Sequence, residues 1–169
     1  DEAAALHRAG ELNEAEAAYR AILAKAPDHP DTLHFLGYLH HQRDRDGEAV
    51  TRFTRSLAAD GKKPMVHANL GNVLLRQGDL DGAMGCFRTA LSLDSGNRLF
   101  LSRLAEGFAR GWFNPSDSNI PAELVACLAA DVIDPRRLRR TVLAALDLAA
   151  QAPSLDDPLL AAFMGREVL

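Results

Sequence analysis

Apolar positions along the first hundred-odd residues recur at helical rather than strand spacing. In the stretch HANLGNVLLRQGDLDGAMGCFRTALSLD, from His67 to Asp94, Leu70 and Leu74 share one face with the small Gly71. Ala83, Phe87, Ala90 and Leu91 form a second stripe, and Arg76-Gln77-Gly78-Asp79 breaks the pattern between the two. The same alternation predicts helices over 2–9, 12–25, 30–43, 46–59, 64–77, 80–93 and 98–110. Pro30 and Pro64 suit a first helical turn, where a missing N–H costs nothing. Asp46, Asp79 and Asp81 stand near helix starts, where acidic groups complement the dipole.

The pattern repeats. Shifted by 34 residues, Leu70-Gly71 falls on Leu36-Gly37 and, one period later, on Leu104-Ala105. Ala83 falls on Ala49 and Ala15, Phe87 on Phe53 and Tyr19, and Leu91 on Leu57 and Leu23. Gly78 falls on Asp44 and Gly10, and Pro64 on Pro30. A period of this length marks an architecture of stacked units. At these residues the chain resembles the tetratricopeptide repeat (TPR) family, whose unit is a helix–turn–helix. The resemblance implies an all-α fold, a right-handed α-solenoid of helix hairpins over residues 1–111, followed by a C-terminal helical cap over 112–169. The array comprises a partial repeat (1–29), full repeats at 30–63 and 64–97, and the first helix of a fourth (98–111). His67 departs from a column where the family prefers a large apolar residue, as Leu33 and Leu101 supply. Asp44 replaces the turn glycine, and Gly61 and Ser95 stand where Pro27 marks a repeat end.

Glycine costs roughly 1 kcal/mol against alanine inside a helix, so Gly71 needs a reason. A large ring opposite needs a gap, and Gly71 with Ala83 supplies one. Gly85 lies off the repeat columns, and the pattern offers no account of it.

After Gly111 the period fails. GWFNPSDSNIP reads as a loop with an apolar anchor in Trp112 and Phe113. Helices are expected from Pro121 to Ala130, from Asp134-Pro135 to about Gln151, and from Leu155 to about Arg166. Trp112, Phe113, Leu124, Leu128, Leu138, Val142, Leu146 and Phe163 would cover the exposed end of a solenoid, or would pack against a part of the protein beyond this chain. The leucine spacing, the Asp134-Pro135 step and Asp157-Pro158-Leu159-Leu160 resemble the helical region of bacterial TPR-containing methyltransferases that use S-adenosylmethionine. That resemblance implies a regulatory or substrate-recruiting arm of a larger enzyme. The catalytic domain of such an enzyme is not in the sequence, which has no Gly-rich loop after a strand.

Composition agrees with helix on helix: hydrophobic residues are 47% but aromatics only 6%. A net charge of −4 gives no footprint for nucleic acid. The run Arg136, Arg137, Arg139, Arg140 reads as an exposed helical face around an inward Leu138. No apolar run is long enough to span a membrane, and the charged start lacks a signal-peptide pattern. That start, without a methionine, reads as the interior of a longer frame or as the sequel to disordered residues. Cys86 and Cys127 have no metal spacing and read as buried thiols of a reducing, cytoplasmic compartment. The six histidines form no HExxH arrangement and no i, i+4 pair, so neither metal nor cofactor is expected. No activated nucleophile is apparent, and intrinsic catalysis is not expected.

The expected function lies instead in a groove. In the TPR family the first helix of each repeat lines the inner face. Carried over by column, this names His34, Tyr38, His41 and Gln42, then Met65, Asn69, Asn72 and Arg76, then Arg103, Glu106 and Arg110. Asparagine amides can read an extended backbone and arginines a carboxylate. Asn69 and Arg103 match columns that some TPRs use to grip C-terminal carboxylates, but His34, Tyr38 and Leu99 replace the others. A protein or peptide partner is therefore expected, though not a chaperone tail. Self-association through an end of the stack is a further route.

Overall fold

The computed structural model describes residues 2–112, 120–134, 136–138 and 141–142. These contain eight helices: α1 (Glu2–Ala9), α2 (Leu12–Lys25), α3 (Pro30–Gln42), α4 (Asp46–Ala59), α5 (Pro64–Gln77), α6 (Leu80–Leu93), α7 (Arg98–Ala109) and α8 (Ile120–Ala129). Five of the expected helices match end for end. The helices expected at 30–43 and 98–110 each stop one residue early, and the one expected at 121–130 is shifted by one. Differences of this size are ordinary at helix ends. Residues 136–138 and 141–142 are helical, in the region expected from Asp134 onward, whereas the helix expected from Leu155 lies outside the described residues. The chain divides into two compact units, Asp1–Ser95 and Gly96–Leu169. The end of the repeat period at 111 marks a different kind of boundary, the last residue of the sequence pattern.

In the first unit each helix packs on the next in chain order, α1 on α2 through α5 on α6, and α3 also touches α5. This is an all-α stack of helix pairs, an α-solenoid. What joins the two members of a pair is a ring set into a gap. Phe53 and Phe87 are both 0% exposed. A Cβ on Gly37 would stand 2.8 Å from Phe53 Cε1, and one on Gly71 would stand 2.6 Å from Phe87 Cε1. Only a hydrogen in place of the methyl lets the second helix approach this closely. In the α1–α2 pair Ala3 and Tyr19 hold the matching columns, and both are buried with Ala15, Leu36 and Leu39.

The turns are equally regular. Gly78 caps α5 in the left-handed region (φ +86°), its N–H bonding Leu74 and Leu75 carbonyls. Asp79 N–H then reaches back to Leu74 O at 3.0 Å. Gly10 and Asp44, the equivalents of Gly78, are left-handed too, with φ +81° and +57°. Asp44 holds the turn without glycine, as aspartate does more readily than most residues. Asp79 caps α6 by accepting from Gly82 N–H at 2.9 Å. Asn97 does the same for α7 through Leu99 N–H, a cap the sequence reading had not singled out. Ser56 Oγ donates to Pro30 O at 2.7 Å, tying the end of α4 to the start of α3.

In the second unit α7 packs on α8. Phe100, Leu104, Ala105, Phe108, Trp112, Leu124, Leu128, Leu138 and Val142 are buried. Phe113, Leu146 and Phe163, expected to share that role, lie outside the described side chains. Cys127 is buried here, whereas Cys86 in α6 is only half-buried. Burial pushes the two thiols up to about 12 and about 11, which removes any reactive thiolate at neutral pH.

Gly71 of α5 and Gly85 of α6 should separate packing from propensity. Gly71→Ala gains about 1 kcal/mol of helix propensity, but its methyl meets a buried ring, a clash worth about 1–3 kcal/mol. A net loss is expected. Gly85 is exposed with nothing within 4 Å of a built Cβ, so Gly85→Ala should gain about 0.5–1 kcal/mol. Urea midpoints at unchanged slope measure both, and a stabilised Gly71→Ala would refute the ring-in-gap account.

Candidate functional site

The first helices α1, α3 and α5 carry the polar side chains that the repeat pattern selects, and most of them face one another. Gln42 Oε1 accepts from His7 Nε2 at 2.8 Å. Asn69 Nδ2 donates to His34 Nε2 at 2.9 Å. Arg76 Nη2 donates to His41 O at 3.3 Å. Each pair spans 35 residues, one repeat plus one, so successive first helices are tied rung by rung.

Arg76 is the most heavily committed. Its Nε and Nη1 donate to Asp46 Oδ2 and Asp44 Oδ1, both at 2.6 Å, and its Nη2 also pairs with Asp46 Oδ1. Asp46 further takes a bond from His41 Nδ1 at 2.9 Å. His34 is half-buried between rings, stacked on Phe35 at 5.1 Å and tilted against Phe53 at 6.0 Å. Asn69, Arg76, His34 and His41 therefore serve first as internal cross-ties, and a ligand at any of them would compete with these partners. Asn72 is half-buried, and no hydrogen bond reaches it among the described residues. Met65 is 42% exposed.

Of the remaining expected residues, Arg103 and Glu106 lie on α7 and Arg110 is its C-cap, all in the second unit. Glu106 accepts from Arg110 Nε at 3.3 Å and from Arg137 Nη2 at 2.9 Å. Arg103 Nε is buried without a hydrogen-bond partner among the described residues. Arg136 and Arg137 are exposed and Leu138 is buried, while the side chains of Arg139 and Arg140 lie outside the described set.

The structure also assembles a cleft that the column argument missed. Between α1 and α3 lies a cavity of about 460 Å³ lined by Ala4, His7, Arg8, Tyr19, Phe35, Tyr38 and Gln42. Phe35 and Tyr38 are 38% and 39% exposed, unusual for rings in a monomer. Phe35 stacks on the buried Tyr19 at 6.2 Å, and Tyr38 tilts against His7 at 5.8 Å. Of the expected residues only Tyr38 and Gln42 fall here. Phe35 could have been found, because it shares a column with Asn69 and Arg103.

Ion pairs also hold the first unit together. Glu16, 6% exposed, accepts from Arg43 at 2.8 Å and from Arg45 and Arg20 at 2.6 Å. Burial pushes Glu16 upward, but the Arg45 hydrogen bond and the charges of Arg45 and Arg20 outweigh it and hold the carboxyl low. Arg76 holds Asp46 low and Lys63 holds Asp31 low, in each case chiefly by direct hydrogen bonding. His40 is 0% exposed, with both ring nitrogens lacking a hydrogen-bond partner. Burial holds His40 and His34 below the usual imidazole range, and nearby Arg45 lowers His40 further. Among the described residues no cluster of histidines, cysteines and carboxylates is placed to hold a metal ion, and no helix is long and apolar enough to cross a membrane.

Family models for the tetratricopeptide repeat match residues 6–73 and 64–97. Residues 6–97 belong to the tetratricopeptide repeat family. Solved TPR structures bear out the fold. The chain superposes on MamA with a TM-score of 0.70 at 15% identity, over 99% of this chain and 94% of that one. On YrrB, described as a TPR protein with an unusual peptide-binding site, the TM-score is 0.64 at 16% identity, over 98% and 83%. A mutant O-GlcNAc transferase from Thermobaculum terrenum gives a TM-score of 0.64 at 27% identity over 75% of this chain. The chain spans only 24% of that transferase. Comparison with curated proteins gives no match.

The two histidines set a pH dependence. Unfolding returns His34 and His40 to their ordinary 6.5. Below that pH the unfolded chain takes up protons that the folded TPR stack refuses. Stability is then full above pH 6.5 and falls as the pH drops, by up to about 1.4 kcal/mol per pH unit for each proton. The depressed carboxylates Glu16, Asp31 and Asp46 work in the same direction. Their contribution is present above the ordinary 4.5 and 3.8 and is lost as the pH falls through their lower folded values. In His40→Leu the fall between pH 6.5 and 5 should flatten while the fall below pH 4.5 remains. Denaturant melts across this range check it.

Proposed function

We propose that this chain is a protein-interaction module that holds an extended partner segment along the face built by α1, α3 and α5. The observation that carries this reading is the aromatic cleft. Phe35 and Tyr38 are left substantially exposed at the rim of a cavity of the size that ligand sites take. Exposed rings gathered in a concavity form a surface that gains by being covered. The interior polar residues of the same face are largely paired with one another, so it brings few unsatisfied groups into an interface. YrrB, of the same fold, is described as having a peptide-binding site, which agrees with a peptide or protein partner here. Asn72 and Met65 would extend the contact within the first unit, and Arg103, Glu106 and Arg110 would form a separate polar contact on the second unit. No intrinsic catalysis is assigned to this segment.

A second reading, the recruiting arm of a larger enzyme, gains no support from the 27% identity to part of an O-GlcNAc transferase, of which the chain spans 24%. That relative is a glycosyltransferase. The resemblance to methyltransferases finds no support in it.

The test is to isolate a partner by pull-down, identify it, and measure its affinity for the parent chain and for Phe35→Ala combined with Tyr38→Ala. A loss of at least about tenfold is expected for a central aromatic pair. Unchanged affinity, with helicity intact, rules out the cleft face as the contact surface.

A further inference from the structure

The chemistry of the cleft narrows what it can seat. Its walls are rings: Phe35 and Tyr38 at the rim and the buried Tyr19 behind them. Its polar groups are few and mostly committed. His7 Nε2 meets Gln42 Oε1 at 2.8 Å, and an amide oxygen can only accept, so this nitrogen carries the proton. His7 Nδ1 is then an acceptor, and the Tyr19 hydroxyl, 3.2 Å away, donates to it. The relay uses up both nitrogens of His7 and leaves the Gln42 amide N–H2 as a donor.

One lining residue stands apart. Arg8 is exposed, and among the described residues it makes no ion pair and no hydrogen bond. In the same unit Arg20, Arg43, Arg45 and Arg76 each face a carboxylate within 2.8 Å. The cleft lining contains no acidic residue. It therefore combines an apolar concavity, one amide donor, the Tyr38 hydroxyl and one unneutralised guanidinium. A positively charged side chain would meet Arg8 with nothing to offset it.

We infer that the cleft between α1 and α3 binds a partner segment that inserts a large apolar side chain, preferably aromatic, and places an adjacent carboxylate on Arg8. The ring stacks against Phe35 and Tyr38, the Gln42 amide donates to a backbone carbonyl, and the guanidinium takes the carboxylate through charge-assisted hydrogen bonds. This rests on the groove reading above and adds to it the chemical class of the occupant.

Calorimetric titration of the full chain with four capped hexapeptides tests it. All are glycine and serine except for a central Phe-Glu, Phe-Gln, Phe-Lys or Ala-Glu. Phe-Glu should bind tightest, with Phe-Lys and Ala-Glu each at least about tenfold weaker and Phe-Gln between. Arg8→Glu should invert the order of Phe-Glu and Phe-Lys, while Tyr38→Ala should weaken Phe-Glu at least about tenfold. Both sites are exposed, and circular dichroism verifies that the variants keep parental helicity. Equal binding of Phe-Glu and Phe-Lys, full retention in Tyr38→Ala, or no binding of any peptide overturns the inference. In each of those cases the broader groove reading still stands if the captured partner loses affinity on Phe35→Ala with Tyr38→Ala. It falls only if that partner is indifferent to the pair.

Discussion

The first unit depends on how closely two helices of a pair can approach, and that distance is set by a ring entering the place of a missing side chain. Phe53 over Gly37 and Phe87 over Gly71 leave no room for a methyl. Close packing of this kind maximises dispersion contacts around each ring. It also fixes which faces of the pair remain outward. The first helices keep one face free of the ring contact, and on that face lie Tyr38, Asn69 and Arg76. The cleft residues follow from the same constraint. Tyr19 occupies the ring column of its own pair and, being buried there, supports Phe35 from behind. One aromatic column thus shapes both the core and the inner wall.

Electrostatics adds a second layer of order. Carboxylates of one repeat are met by arginines of the next: Glu16 by Arg43 and Arg45, and Asp44 and Asp46 by Arg76. Glu16 is the telling case, because it is nearly buried and would be costly alone. Three guanidinium contacts offset that cost, which is the condition for keeping an ionised group out of water. His40 takes the opposite course. With no hydrogen-bond partner on either ring nitrogen, it is retained as a neutral imidazole, a packing element that becomes a burden once protons are plentiful.

Much of this was legible in the sequence, and the reason is the repeat. A motif read several times averages out local ambiguity, so the bounds of α1, α2, α4, α5 and α6 follow directly from the column positions. The role of Gly71 was legible because a bulky residue recurs opposite it. Side-chain partnership was not. Column matching placed Asn69 and Arg76 in the groove, but it could not reveal that Asn69 has a partner 35 residues back and Arg76 has carboxylate partners 30 and 32 residues back. The same blindness hid the cleft. His7 and Tyr19 acquire meaning only when α1, α2 and α3 converge, and Phe35 was passed over because an apolar residue on a helix is ordinarily assigned to the core. Beyond Gly111 the period gives no help, and there the sequence offered only leucine spacing and local turn and cap signals such as Asp134-Pro135.

The rungs between first helices have a consequence for how the surface meets a guest. His7–Gln42, His34–Asn69 and His41–Arg76 immobilise side chains that would otherwise sample many rotamers in solvent. Their configurational freedom is surrendered during folding rather than at encounter. An arriving segment then bears nearly all the ordering cost itself, and the receiving wall contributes a template whose shape is settled beforehand. Discrimination among guests falls to the few groups left untethered, so a small number of side chains can decide which ones are retained.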